Sequence, residues 1–326
     1  LHQDKDGIRL NITTELPSFI YTYACREDEL SLCQLEMRAF FGMEAPSHIL
    51  KSTVDIDPSR SPFIKERVEV MYQGSSLVEI LQKVEAIELM DATFKVIFVK
   101  LNDLNAEDNI SYEEQRNIER KLGLHITGEA DVHHPAFVFG IVALGGQWYF
   151  GNYLKNKAVW LHHMKKPRNY SIALTTRLAR AAVNIAVPHP YGIKAIDPCC
   201  GIGTVLVEAL SMGIDMVGRD INHFIVRGAR ENLAHFELEG EVVVGAIANI
   251  STNYDVAIVD MPYNLFSTIT TEEQFSILQH ARRIASKVVV ISIEAIDEMI
   301  ASAGFIIVDR GVAKKGLFSR QVLVCI

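Results

Sequence analysis

The sequence predicts an α/β fold with a mostly parallel sheet and an antiparallel last strand, preceded by an α+β region. Three observations carry that expectation. From about residue 168, short apolar runs alternate with helical periods, the pattern of βαβ units around a buried parallel sheet. A Gly-x-Gly turn follows the first of these runs and opens a helix, as at the crevice where open α/β sheets take ligands. The stretch 310–319 between the last two runs is too short for a helical crossover, so the final strand turns back.

Each element follows from local pattern. Residues 1–17, which open on a charged run at Leu1, are expected to stand outside the fold. In 18–25 β-formers alternate, which predicts a strand; 27–41 sets Leu32, Leu35, Ala39 and Phe40 at helical spacing and stops at Gly42. Strands are expected at 65–72 and 93–101, and helices at 75–87, capped by Ser75 or Ser76, and at 111–122, ended by Gly123. The runs 136–144 and 147–153 flank Gly145-Gly146, which supports a primed two-residue turn, so they form a hairpin. Residues 154–169 form the natural linker. Beyond it, strands are expected at 194–196, 216–219, 242–244, 256–259, 287–292, 305–309 and 320–325, with helices at 204–212, 222–236 and 272–286.

Composition narrows the class. A chain of 326 residues with 49% hydrophobic content fits two or three domains. Mean hydropathy is +0.14, but the most apolar stretch, 135–150, is broken by Gly140, Gly145 and Gly146. It falls short of the roughly 20 residues of a spanning helix, so no membrane association is expected. Five cysteines, an odd number without metal spacing, predict a reduced, cytoplasmic chain with no disulfide framework. Adjacent imidazoles such as His133-His134 and His162-His163 suit one tetrahedral ion poorly, so no metal site is expected. Net charge is −8, yet the 65 residues of 132–196 contain no Asp or Glu. This stretch carries Lys155, Lys157, Lys165, Lys166, Arg168 and Arg177, an expected footprint for RNA. The plainer alternative is an apolar strand pair followed by a solvated linker.

Two motifs carry chemistry. In Asp197-Pro198-Cys199-Cys200-Gly201-Ile202-Gly203-Thr204 the third glycine of a dinucleotide fingerprint is missing, and Leu206 follows instead. A carboxylate at Asp197 would repel a pyrophosphate but suits an ammonium group. S-adenosylmethionine has that group and no phosphate, so it is the expected cofactor. Asp220, closing the second strand of this half, is set to accept both ribose hydroxyls. Cys199 and Cys200 pack the loop. The second motif, Asp260-Met261-Pro262-Tyr263-Asn264, follows the fourth strand across the crevice. It suits methyl transfer to an exocyclic amine, whose lone pair is conjugated into its ring. Asp260 could accept one N–H, the carbonyl of Met261 or Pro262 the other, and Tyr263 could stack on an extruded base.

The run from Asp197 to Thr204, continued by Val205-Leu206-Val207-Glu208, resembles that of THUMP-containing tRNA guanosine-N2 methyltransferases. Residues 176–184 look like the helix that precedes the first strand in that family, and 218–222 and 229–233 like its next elements. More loosely, 61–153 resembles a THUMP RNA-binding domain and 18–60 the small ferredoxin-like domain before it, with 170–326 as the Rossmann-like methyltransferase domain. The resemblance implies tRNA as substrate, S-adenosylmethionine as methyl donor, and Ile221 and Ala246 beside the cofactor. Two departures stand out. Met261 replaces the first proline of an Asp-Pro-Pro-Tyr pattern, which is expected to loosen the loop, so that restoring proline would keep or raise the rate. Gly245-Ala246-Ile247 lacks the family's acid, leaving Asn249 or a backbone group to meet the adenine amine. Three alternatives stay open: methylation of DNA adenine or cytosine, methylation of a protein glutamine, and a non-catalytic RNA-binding protein.

Overall fold

Two seven-stranded sheets organise the chain, and it divides into two units accordingly. The computed structural model describes residues 18–44, 48–101, 110–169, 173–262, 269–315 and 318–326. The segment 1–17 lies outside the described residues.

The first half runs β1 (Phe19–Tyr23), α1 (Leu30–Phe41), β2 (Ile49–Ser52), β3 (Ile64–Gly74), α2 (Leu77–Val84), β4 (Glu88–Phe98), α3 (Tyr112–His125), β5 (Thr127–Ala130), β6 (Phe137–Leu144) and β7 (Gln147–Lys155). The hydroxyls of Ser76 and Ser111 accept the N–H groups of Glu79 and Glu114, capping α2 and α3. Gly145 and Gly146, both left-handed at φ +57 and +71, make the expected turn between β6 and β7. The strand order is β2-β1-β3-β7-β6-β4-β5, antiparallel as far as β6 and parallel where β4 meets β6 and β5. Ile80, Phe94, Ile118, Leu122, Phe139 and Phe150 form its main core. β2 and β5 escape the sequence pattern because they are short, and β5 is exposed throughout.

Residues 18–60 are divided between the two units. β1 and β2 pair in one sheet with β3, whereas α1 belongs to the second unit, with 25–44 and 59–63. Local pattern foretold the elements but not their partners. The Arg38 guanidinium grips Asp309 with two hydrogen bonds of 2.9 and 2.7 Å, and Gly311 lets the chain pass close to Leu35 and Ser31.

The second half runs α4 (Trp160–His163), α5 (Thr176–Ala186), β8 (Lys194–Asp197), α6 (Thr204–Ser211), β9 (Asp215–Asp220), α7 (His223–His235), β10 (Val242–Val244), β11 (Tyr254–Asp260), α8 (Thr271–Ile284), β12 (Ala285–Ser292), α9 (Asp297–Ser302), β13 (Ile307–Lys315) and β14 (Phe318–Cys325). The order is β10-β9-β8-β11-β12-β14-β13, with β14 antiparallel to both neighbours, as the short final connection requires. This is the mostly parallel, Rossmann-like sheet with an antiparallel last strand that the sequence predicts. The expected linker is folded: Lys155 ends β7, and α4 belongs to the second unit. Among the described residues no helix is long and apolar enough to cross a membrane.

Candidate active site

Three neighbouring parallel strands each end on an aspartate: Asp197 on β8, Asp220 on β9 and Asp260 on β11. Because the strands run parallel, all three carboxylates reach the same edge of the sheet. They line a cleft of about 640 Å³ with Cys199, Cys200, Gly201, Thr204, Ile221, Ala246, Met261 and Pro262. Gly203 stands behind it and starts α6 at φ +77, where a Cβ would press on Ala229 at 3.2 Å. The Thr204 hydroxyl is buried with no partner among the described residues. Tyr263 and Asn264 lie outside the described residues.

Asp220 holds the cleft together. Its Oδ2 accepts the Gly201 N–H at 3.0 Å and its Oδ1 that of Asn222 at 2.9 Å, tying the glycine loop to the second strand. Asp197 is 2% exposed, and burial pushes its carboxyl well above the usual range. The Cys199 N–H opposes that rise, while the charges of Asp260 and Asp220 add to it. Burial pushes Asp260 up to about 7, with Arg320 opposing. Cys199 and Cys200 have raised thiols, first from burial and then from these carboxylates, so they pack the loop and stay protonated.

Met261 and Pro262, which follow β11, are held more firmly than the sequence suggested. Met261 is 2% exposed within the core of this unit, and its N–H donates to Ile291 O at 2.9 Å. A proline could not make that bond. The next carbonyl, of Pro262, accepts from Gln274 Nε2 at 3.0 Å, and the same nitrogen lies 3.4 Å from Glu294 Oε2. Sequence reasoning missed α8 as a wall of the cleft, although Glu273, Ser276, Ile277 and His280 recur at the spacing of one helix face. Nothing local marks Gln274 or Glu294. At the far end Ala246, Ile247 and Ala248 line the cleft, whereas Asn249 is exposed and does not.

The basic footprint is smaller than its sequence. Lys166 is 8% exposed, and burial lowers its ammonium pKa against the pull of Glu208. Arg177 pairs with Glu29 at 2.9 Å and lies over Phe63 and Trp160. Arg168 is ion-paired with Glu231. Lys155, Lys157 and Lys165 are exposed. Acids remote in sequence thus neutralise part of an acid-free stretch.

Residues 164–290, which include all three aspartates and Gln274, match the model of a family described as RMKL-like, methyltransferase domain. A tRNA (guanine(10)-N2)-dimethyltransferase of Methanothermobacter thermautotrophicus is 34% identical over 116 residues, 33% of this chain and 33% of that protein. One of Pyrococcus abyssi is 32% identical over 111 residues, 32% of this chain and 33% of its own. The matched part of the chain thus spans about a third of the length of these curated relatives. Among solved structures, TrmN from Thermus thermophilus aligns over 94% of this chain and 99% of its own, at 17% identity and a TM-score of 0.47. SMU.472, a putative methyltransferase complexed with SAH, aligns over 94% and 97%, at 14% identity and 0.46.

Proposed function

We propose that this chain, which carries a methyltransferase domain over residues 164–290, is an S-adenosylmethionine-dependent RNA methyltransferase. It acts on an exocyclic amine, and the names of its relatives favour guanine N2 in tRNA. One observation carries the reading. The three strand-end aspartates and Pro262 line a single cleft. That donor set fits a cationic nucleoside: clustered carboxyls raised by burial, a buried Thr204 hydroxyl and a glycine turn.

Asp197 and the loop to Thr204 would hold the ammonium-bearing end of the cofactor, Asp220 its ribose, and Ile221 and Ala246 its base. When bound, S-adenosylmethionine supplies a methyl group made electrophilic by its sulfonium. Asp260 accepts one N–H of the substrate amine and the Pro262 carbonyl the other, which turns the nitrogen lone pair out of conjugation. The nitrogen forms the new N–C bond, and the electrons of the broken S–C bond stay on sulfur. The surplus N–H proton passes to Asp260, whose carboxyl at about 7 suits a proton acceptor. Correct alignment supplies most of the acceleration.

A THUMP-like role for 61–153 and phosphate contacts from Lys155, Lys157 and Lys165 would provide the grip on RNA, in the cytoplasm. The test is mass spectrometry of nucleosides from unmodified tRNA incubated with the chain and cofactor. Methylated guanine N2 is the expected product. Bound cofactor with no methylated nucleoside would overturn the reading.

A further inference from the structure

We infer that Gln274 is a positioning residue for the first of two methyl transfers to one amine: its buried amide aims the Pro262 carbonyl at the substrate. The inference rests on the reading above and concerns a residue outside both motifs. Gln274 follows directly on a capping box at the start of α8, in which Thr270 Oγ1 accepts the Glu273 N–H and the Glu273 carboxylate accepts that of Thr270. That box fixes the first turn, and Gln274 points inward at 5% exposure. An amide so deeply buried must satisfy its donors. Its Nε2 has two partners, Pro262 O at 3.0 Å and Glu294 Oε2 at 3.4 Å. A carbonyl offers only lone pairs, as does an ionised carboxylate, so the NH₂ end of Gln274 and not its oxygen must face them.

Glu294 is itself held in place. The Ser292 hydroxyl donates to Glu294 O and accepts the Glu294 N–H, each at 3.0 Å. The loop is therefore anchored on two sides, Met261 through its N–H on β12 and Pro262 through its carbonyl on α8. A carbonyl oxygen has two lone pairs, and Gln274 occupies one. The other can take a second donor, and Pro262 lines the cleft.

An unmodified exocyclic amine presents two N–H groups, one for Asp260 and one for this carbonyl. Once methylated, it presents a single N–H. Asp260 must keep that one, because it takes the proton when the second N–C bond forms and the S–C electrons leave with sulfur. The Pro262 carbonyl then has no donor to receive. Losing Gln274 should slow the first transfer and spare the second, a split that a merely structural role would not produce.

The experiment measures single-turnover methyl transfer, with saturating cofactor, to two RNAs that differ only in carrying guanosine or N2-methylguanosine at the target. Gln274→Met keeps the length of the side chain and removes its polar atoms. We expect the first transfer to fall about 5- to 10-fold and the second by less than about twofold, the scale of one lost neutral hydrogen bond. Dissociation constants for cofactor and RNA should stay unchanged. Glu294→Ala, at an exposed position, should slow the first transfer alone by a smaller factor. Equal slowing of both transfers, an unslowed first transfer, or a wild-type chain incapable of the second overturns the inference. A wild-type chain that methylates neither RNA overturns the functional reading itself.

Discussion

Glu36 and Glu208 are as deeply buried as Asp197, but their neighbours are of the opposite kind. Glu36 accepts from the Ser61 hydroxyl and from Asn184 Nδ2 at 2.7 Å, with the charges of Arg180 and Arg60 close by. Glu208 receives Arg180 Nη1 at 2.6 Å and lies 2.7 Å from His163 Nδ1. Arg180 in turn donates to the carbonyls of Arg60 and Ser59 at 2.8 and 2.7 Å. This polar knot joins α1, α5 and α6. Asp197 instead has one backbone N–H and two more carboxylates beside it. A buried charge paired within the protein, as Glu208 is with Arg180, holds the fold together, although burial still raises Glu36 to about 7. One left among like charges weakens the fold and gains its compensation from a ligand.

Removing one carboxylate from each region should therefore have opposite effects. The largest change is expected in the knot. Glu208→Ala strands the Arg180 guanidinium and should cost about 3–5 kcal/mol in denaturant unfolding. Met261→Pro would lose a backbone hydrogen bond and a buried side chain, so it should cost about 2–3 kcal/mol and lower the rate. That reverses the expectation drawn from the family's proline. In the cleft, Asp260→Asn should be stabilising, and the pH dependence gives the sign. A folded carboxyl near 7, against about 4 unfolded, binds a proton that the unfolded chain has released. The penalty is absent below pH 4, grows as pH rises, and is complete above 7. Asp260→Asn should thus be more stable than wild type at pH 8 and equal to it at pH 4. The smallest effect belongs to binding. A cationic cofactor favours the ionised form of the raised Asp197 carboxyl, so its dissociation constant, measured by calorimetry, should fall as pH rises.

Much of the cleft was legible because its chemistry is local. Asp197, Asp220 and Asp260 each close an apolar strand, and the Gly201 and Gly203 turn sits between a strand and a helix. What stayed illegible depends on partners far away in sequence. The acid-free stretch looked like an open basic surface because Glu29, Glu208 and Glu231 lie outside it and neutralise part of it only after folding. The partner of α1 was illegible for the same reason, since its Arg38 finds Asp309 some 271 residues on. Met261 looked like a weakness because its N–H bond to Ile291 crosses from one strand to another. Gln274 lies in a polar helical turn like many others, and only the fold puts Pro262 and Glu294 beside it.

The central claim is that the buried Asp260 carboxyl, raised to about 7 against the opposing charge of Arg320, serves the substrate amine. Single-turnover methyl transfer to tRNA, at saturating cofactor, compares wild type with Asp260→Ala most directly. A contact formed mainly in the transition state should cost on the order of 10²-fold or more in rate, with cofactor and tRNA dissociation constants little changed. A variant that runs within about threefold of wild type would contradict the assignment of Asp260, even with the methyltransferase fold intact.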